Sequence, residues 1–235
     1  MPANDIRRIW IEKLVPNKSF AEVGGLWGGG HVLTYGLGAK SLCMVDVMEG
    51  TNEWWAKFRE VCKNKAINNV KEVVASIDDN RILELMGRHD VVYTSGVLYH
   101  CPNPIMTIRN LLTITNEWLI LGSIVFPSVI TNSEGTLKMS DESAYFVPGL
   151  SETNRAIFAR YVNDKIGFGA GGLDTPPITD WHLSNGEPNY SPWWWLWTKG
   201  FVRHMLSTFP IDVVQEGLFP EGKNICALFM CRKRT

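Results

Sequence analysis

Between residues 19 and 126 short, mostly apolar runs alternate with stretches of helical periodicity, and this alternation constrains the fold more than any other feature. The runs 20–23, 41–46, 70–77, 90–94 and 118–125 have the length of strands and the apolar character of a sheet buried on both faces. Helical spacing fills the gaps: a helix ending near Gly38, then residues 52–66, 79–87 and 104–112. A first helix over 5–14 carries Ile6, Ile9, Trp10 and Leu14 on one face, and Pro16 closes it. Strands that alternate with helices in this way predict an α/β fold with a parallel sheet and helices on both faces.

The pattern breaks over 127–190 and then returns. Ser191-Pro192 reads as an N-cap with proline at the first helical position, opening a helix with Trp194, Trp197, Phe201, Met205 and Thr208 along one stripe. Residues 210–216 and 224–231 read as two further strands, a hairpin joined around Pro220-Glu221-Gly222. The expectation is one domain over 1–235 with a seven-stranded, mostly parallel sheet that closes in an antiparallel hairpin. The interruption is too long to be structureless inside a compact domain, so 127–190 is expected to hold short elements of its own and to serve as an acceptor-binding segment or lid.

Composition removes several classes of function. A net charge of -1 gives no basic field to gather a polyanion, which makes a nucleic-acid partner unlikely. No apolar stretch approaches a membrane span, and the N-terminus lacks the apolar core of a signal peptide. The five cysteines are scattered, with no C-x-x-C pair, as expected of reduced thiols in a cytoplasm, with neither disulfides nor a metal site.

In an open α/β sheet a ligand binds beyond the carboxyl ends of the strands. Four segments converge there. Glu22-Val23-Gly24-Gly25-Leu26-Trp27-Gly28 offers glycines that admit close backbone approach and an acid to accept from a cationic amine. Asp46, followed by Val47, can accept both hydroxyls of a ribose, and Asp78, after Ile77, can take the amino group of an adenine. Ser95-Gly96-Val97-Leu98-Tyr99-His100 follows the fourth strand. Each signal has a plain structural competitor, since Asp46 and Asp78 could simply cap helices. The argument is their joint occurrence, one at each strand end.

The runs Glu-Val-Gly-Gly-Leu-Trp-Gly, Met-Val-Asp-Val and Gly-Val-Leu-Tyr-His-Cys-Pro-Asn-Pro resemble those of class I S-adenosylmethionine-dependent methyltransferases. The last is similar to the branch of the tRNA wobble-uridine carboxymethyltransferases. The resemblance covers about 18–126 and 191–235. It implies a Rossmann-like fold, S-adenosylmethionine as cofactor, contacts from Glu22, Gly24, Asp46 and Asp78, and Tyr99 near the sulfonium. Leu26 departs from the pattern, which has glycine there. A nicotinamide dehydrogenase is the rival, but 24–29 does not spell G-x-G-x-x-G, and the match at 167–172 follows no strand.

Catalysis by such a family needs a general base only where the acceptor must lose a proton. His31, His89 and His204 read as structural. His100 reads as either a base or a loop brace, and His182, beside Asp180 in the interruption, as either a catalytic group or a brace. The block Trp193–Trp197 reads as core packing with at least one ring walling the acceptor pocket. The expected activity is methyl transfer to a small-molecule acceptor. A tRNA-modifying methyl- or carboxymethyltransferase and a non-catalytic cofactor-binding protein are the alternatives, and 127–190 could instead mediate a homodimer.

Overall fold

A computed structural model describes residues 1–165, 171–173, 181–221 and 224–234. The parallel strands β1 (Ser19–Val23), β2 (Ser41–Asp46), β3 (Val70–Val74), β4 (His89–Ser95) and β5 (Thr115–Ile124) are joined by the helices α2 (Gly29–Gly36), α3 (Glu53–Asn64), α4 (Ile82–Met86) and α5 (Pro104–Thr113). α1 (Ile6–Leu14) precedes them, capped by Asp5, whose carboxylate accepts the Arg7 amide at 2.9 Å. β10 (Ile211–Glu221) and β11 (Asn224–Lys233) form the closing antiparallel hairpin. Numbered along the chain, the sheet order is β10-β11-β5-β4-β1-β2-β3. β1 lies between β2 and β4, so strand order reverses there, and the carboxyl ends of those strands frame a crevice. Phe20 to Val23 are buried without alternation, which means both faces of this strand are covered.

β3 ends at Val74 rather than running to Ile77, so 75–78 form a loop at the carboxyl edge. α4 is shorter than the pattern over 79–87, and Asp78 caps nothing: Asp79 accepts the Arg81 amide instead.

The interruption does contain its own elements. β6 (Val129–Asn132) and β7 (Gly135–Lys138) make a hairpin, β8 (Ala144–Phe146) follows, and then α6 (Glu152–Lys165). Phe126 and Tyr145 both pack edge-on against Phe158 of α6, which ties this region to the end of β5.

The expected helix over the tryptophan block is corrected. Trp195–Trp197 is a strand, β9, paired antiparallel with β8, and the helix α7 begins only at Lys199 with Thr198 as its N-cap. Aromatic side chains favour a pleated, half-buried surface, and here a partner strand was available. Neighbouring backbone groups bind the block on either side: the Trp194 amide donates to Tyr99 O, and Trp197 O accepts the Phe126 amide. The stretch is covered on both sides, so Trp193, Trp194 and Trp197 are all buried although they alternate in direction. Among the described residues no helix is long and apolar enough to cross a membrane. The turn at Gly222 and the residues Pro176, Pro177 and Asp180 lie outside the described residues, as do 166–170 of the glycine run.

Candidate functional site

A cavity of about 1190 Å³ opens at the carboxyl ends of β1, β2 and β4. Its floor comes from Gly24, from Asp46 and Val47, and from the loop 75–81. Gly96, Val97 and His100 close one side, and Leu183 to Ser191 supply its cover.

Gly24 follows β1 with φ +76°, and any Cβ there would clash with Val97, so only glycine lets the chain turn this close to the segment after β4. Gly28 caps α2 at φ +70°, while Gly25 and Leu26 face inward. Leu26 is buried, an anchor where the resembling family has glycine, and Trp27 beside it stands 76% exposed against Trp54. None of Gly25, Leu26 and Gly28 lines the cavity.

Glu22 does not line it either. It is only 6% exposed, and its carboxylate fills the space left by Gly25 and Gly30, where added Cβ atoms would strike its oxygens. His31 Nδ1 lies 3.0 Å from Glu22 Oε2 and its Nε2 lies 3.1 Å from Cys43 O, with Phe20 and Phe58 edge-on to the ring. The structure therefore places Glu22 as the internal brace of the glycine turn, held by a histidine that the sequence marks only as structural.

The other two acids do face the cavity. Asp46 Oδ1 accepts the Met48 amide at 2.9 Å; burial pushes its carboxyl above the usual range, opposed by the Met48 and Val47 amides. Asp78 receives two hydroxyls, Thr107 on Oδ1 at 2.7 Å and Tyr190 on Oδ2 at 3.1 Å. Burial raises it as well, opposed by those same two donors. Ile77 is buried beside it, with Ile77 O accepting from Asn110. Tyr190 and Thr107 were missed in sequence: Tyr190 lies 112 residues from Asp78, and neither local pattern nor spacing announces the contact.

After β4, Gly96 lines the cavity at φ +81°, while Ser95 packs inward against Gly122. Tyr99 is buried, its ring stacked at a tilt between His100 and Trp193 at 4.5 and 4.7 Å. His100 reaches the cavity wall with Nδ1 3.1 Å from Pro192 O. A carbonyl there fixes the proton on Nδ1 and leaves Nε2 as the acceptor. Burial pushes its pKa down to about 4, against the pull of the 190–192 carbonyls. The ring is neutral near pH 7 and a weak base.

His182 stands apart. It is exposed, bridges to Pro188, and meets Trp194 edge-on at 5.9 Å, but it does not line the cavity. The tryptophans do not line it either; Trp194 holds its cover from behind, its Nε1 donating to Asn189 O at 2.8 Å.

The lining is acidic. Among the described residues the lining holds Asp46, Glu49, Asp78, Asp79 and Glu187 against one guanidinium, Arg81, which is itself paired with Asp79 at 3.0 Å. Such a space favours a cationic ligand and repels a polyanion. Among the described residues no group of three His, Cys, Asp or Glu is placed to hold a metal.

No protein-family model matches the chain, and neither does any curated protein. Solved structures do. A magnesium protoporphyrin IX methyltransferase from Synechocystis PCC 6803, with S-adenosylhomocysteine bound, superposes with a TM-score of 0.60 at 14% identity over 97% of this chain and 80% of that one. The fold is the Rossmann-like methyltransferase fold. The 1,6-didemethyltoxoflavin-N1-methyltransferase of Burkholderia thailandensis gives 0.59 at 9% identity over 99% and 80%. A Rhodobacter sphaeroides protein named among zinc-dependent alcohol dehydrogenases gives 0.61 at 12% identity over 100% and 92%.

Proposed function

We propose that this chain is an S-adenosylmethionine-dependent methyltransferase acting on a small molecule. The observation that carries the reading is the pair of cavity-facing carboxylates, Asp46 at the end of β2 and Asp78 in the loop after the neighbouring β3, beside the Gly24 turn. The residues fit the cofactor. In this reading Asp46 accepts ribose hydroxyls, Asp78 an exocyclic amine, and the left-handed Gly24 leaves backbone open to the methionine part. The bound cofactor would supply a methyl group made electrophilic by a sulfonium. The chain's own contribution is then position, charge and dryness. The acidic lining stabilises a cation, the cover 183–191 excludes water, and alignment of the reactants alone can lower a barrier by roughly 7–11 kcal/mol.

The same charge supports plain methyl transfer over use of a carboxylated cofactor, because one more anion would meet five carboxylates. It also supports a small acceptor over tRNA. The nicotinamide alternative suggested by one neighbour's name has less support: the five lining carboxylates would face the two phosphates of a dinucleotide. His100 serves this reading as a neutral wall and acceptor, with Tyr99 behind it, while His182 acts through the cover if at all.

Calorimetry tests the reading. S-adenosylmethionine and S-adenosylhomocysteine should bind the wild type, and NAD should not compete. Asp46→Ala should lose roughly 1.5–3 kcal/mol, the value of hydrogen bonds to a charged group. Absence of binding, or unchanged affinity in Asp46→Ala, overturns it. An acceptor that gains a carboxymethyl mass instead of a methyl mass refutes plain methyl transfer.

A further inference from the structure

The cover of the cavity reaches one carboxylate directly. Tyr190 lies at the end of the interruption, yet its hydroxyl donates to Asp78 Oδ2 at 3.1 Å, while Thr107 of α5 donates to Oδ1 at 2.7 Å. A further side-chain bond joins Tyr190 to Ser76, whose Oγ accepts the Asp78 amide at 3.1 Å. The tyrosine is not an arm that happens to lean inward. Asn189, just before it, is held through both its amide, to Trp181 O at 2.9 Å, and its carbonyl, from Trp194 Nε1. Pro192, two residues after it, accepts from His100 through its carbonyl. The Tyr190 backbone is thus fixed from both sides, and its hydroxyl is fixed on Asp78.

This arrangement has a chemical consequence. Each oxygen of Asp78 already receives one hydroxyl, so the group is set as an acceptor and its remaining lone pairs accept only from a donor. An amino group on a bound base satisfies them, whereas a carbonyl at the same position faces the carboxylate as oxygen against oxygen. Resting on the methyltransferase reading, we infer that Tyr190 is a positioning residue that fixes Asp78 as a hydrogen-bond acceptor, so that the cover segment 181–191 belongs to the base end of the cofactor site and enforces a 6-amino purine. A segment expected to serve the acceptor therefore contributes to choosing the cofactor.

Two ligands differing only at that position read this out: S-adenosylhomocysteine, with a 6-amino group, and S-inosylhomocysteine, with a 6-oxo group. Wild-type protein should bind the first at least roughly tenfold more tightly, as expected of one hydrogen bond to a charged partner. Tyr190→Phe keeps the ring and its packing and removes only the hydroxyl. It should weaken S-adenosylhomocysteine and shrink the ratio between the two ligands, with an unchanged circular dichroism spectrum. A purely structural tyrosine would lower both affinities in proportion and leave the ratio intact, which would overturn the inference. Equal binding of both ligands by the wild type would overturn it as well, without involving the variant. Failure of the wild type to bind either ligand would instead remove the methyltransferase reading.

Discussion

A buried carboxylate without a counter-group is among the costliest features a fold can hold, and His31 relieves Glu22 of that cost. Replacing His31 by Phe should therefore destabilise the protein by about 1–3 kcal/mol or more, since it removes the hydrogen-bond partner of a buried carboxyl behind the glycine turn. In the double variant Glu22→Gln, His31→Phe the loss should be clearly smaller, because an unpaired buried amide costs less than an unpaired buried carboxylate. Urea denaturation of the wild type and the two variants measures both, and equal losses would show that the pair does not brace the turn. His100 gives a second test. Its pKa of about 4 in the folded chain lies below the ordinary 6.5. Above pH 6.5 the ring is neutral in both states and stability does not respond. As pH falls from 6.5 toward 4, the unfolded chain takes a proton that the folded chain refuses, and stability drops by at most about 3 kcal/mol. His89, also pushed down by burial, adds to the decline in every variant. His100→Asn should flatten the curve in that window alone; parallel curves for wild type and variant would show that the ring is not held neutral.

The helix α7 (Lys199–Ser207) is capped by Thr198, not by Ser191, and stability can show it. Thr198 Oγ1 accepts the Phe201 amide and donates to Asp141 O. Thr198→Ala should cost about 0.5–2 kcal/mol as a lost N-cap, and Ser191→Ala should stay within about 0.5 kcal/mol. The reverse ranking in thermal unfolding would restore the longer helix. The error has a physical origin. Trp194, Trp197 and Phe201 fall at spacings that imitate a helical stripe, while the pairing of β9 with Ala144–Phe146 is remote in sequence. The parallel strands were legible because burial on both faces leaves a local signature: Ser41–Asp46 is the same segment in sequence and structure. β3 was overextended because Ala75 and Ile77 carry the apolar pattern on after the strand has ended. Asp46 and Asp78 were legible as strand-end acids. Tyr190 and Thr107 were not, because what makes them part of the site is a contact across the fold.

Across the molecule, a nearly neutral chain concentrates five carboxylates around one cavity, and that imbalance predicts how binding responds to salt. S-adenosylmethionine carries the sulfonium charge and S-adenosylhomocysteine does not. Raising ionic strength from low values to beyond 0.15 M, where screening acts over about 8 Å, should weaken the first more than the second. Identical salt dependence in parallel titrations would mean that the acidic lining does not act on the ligand. The architecture makes a more direct demand. The strand-order reversal at β1, the acids after β2 and β3, and the cover over 183–191 all border the one cavity that the proposed cofactor would occupy. A crystal structure grown with S-adenosylhomocysteine tests this most directly. It should show the ribose on Asp46 and the base on Asp78 beneath Tyr190, and a ligand bound elsewhere, or an empty cavity at saturating ligand, would contradict the account.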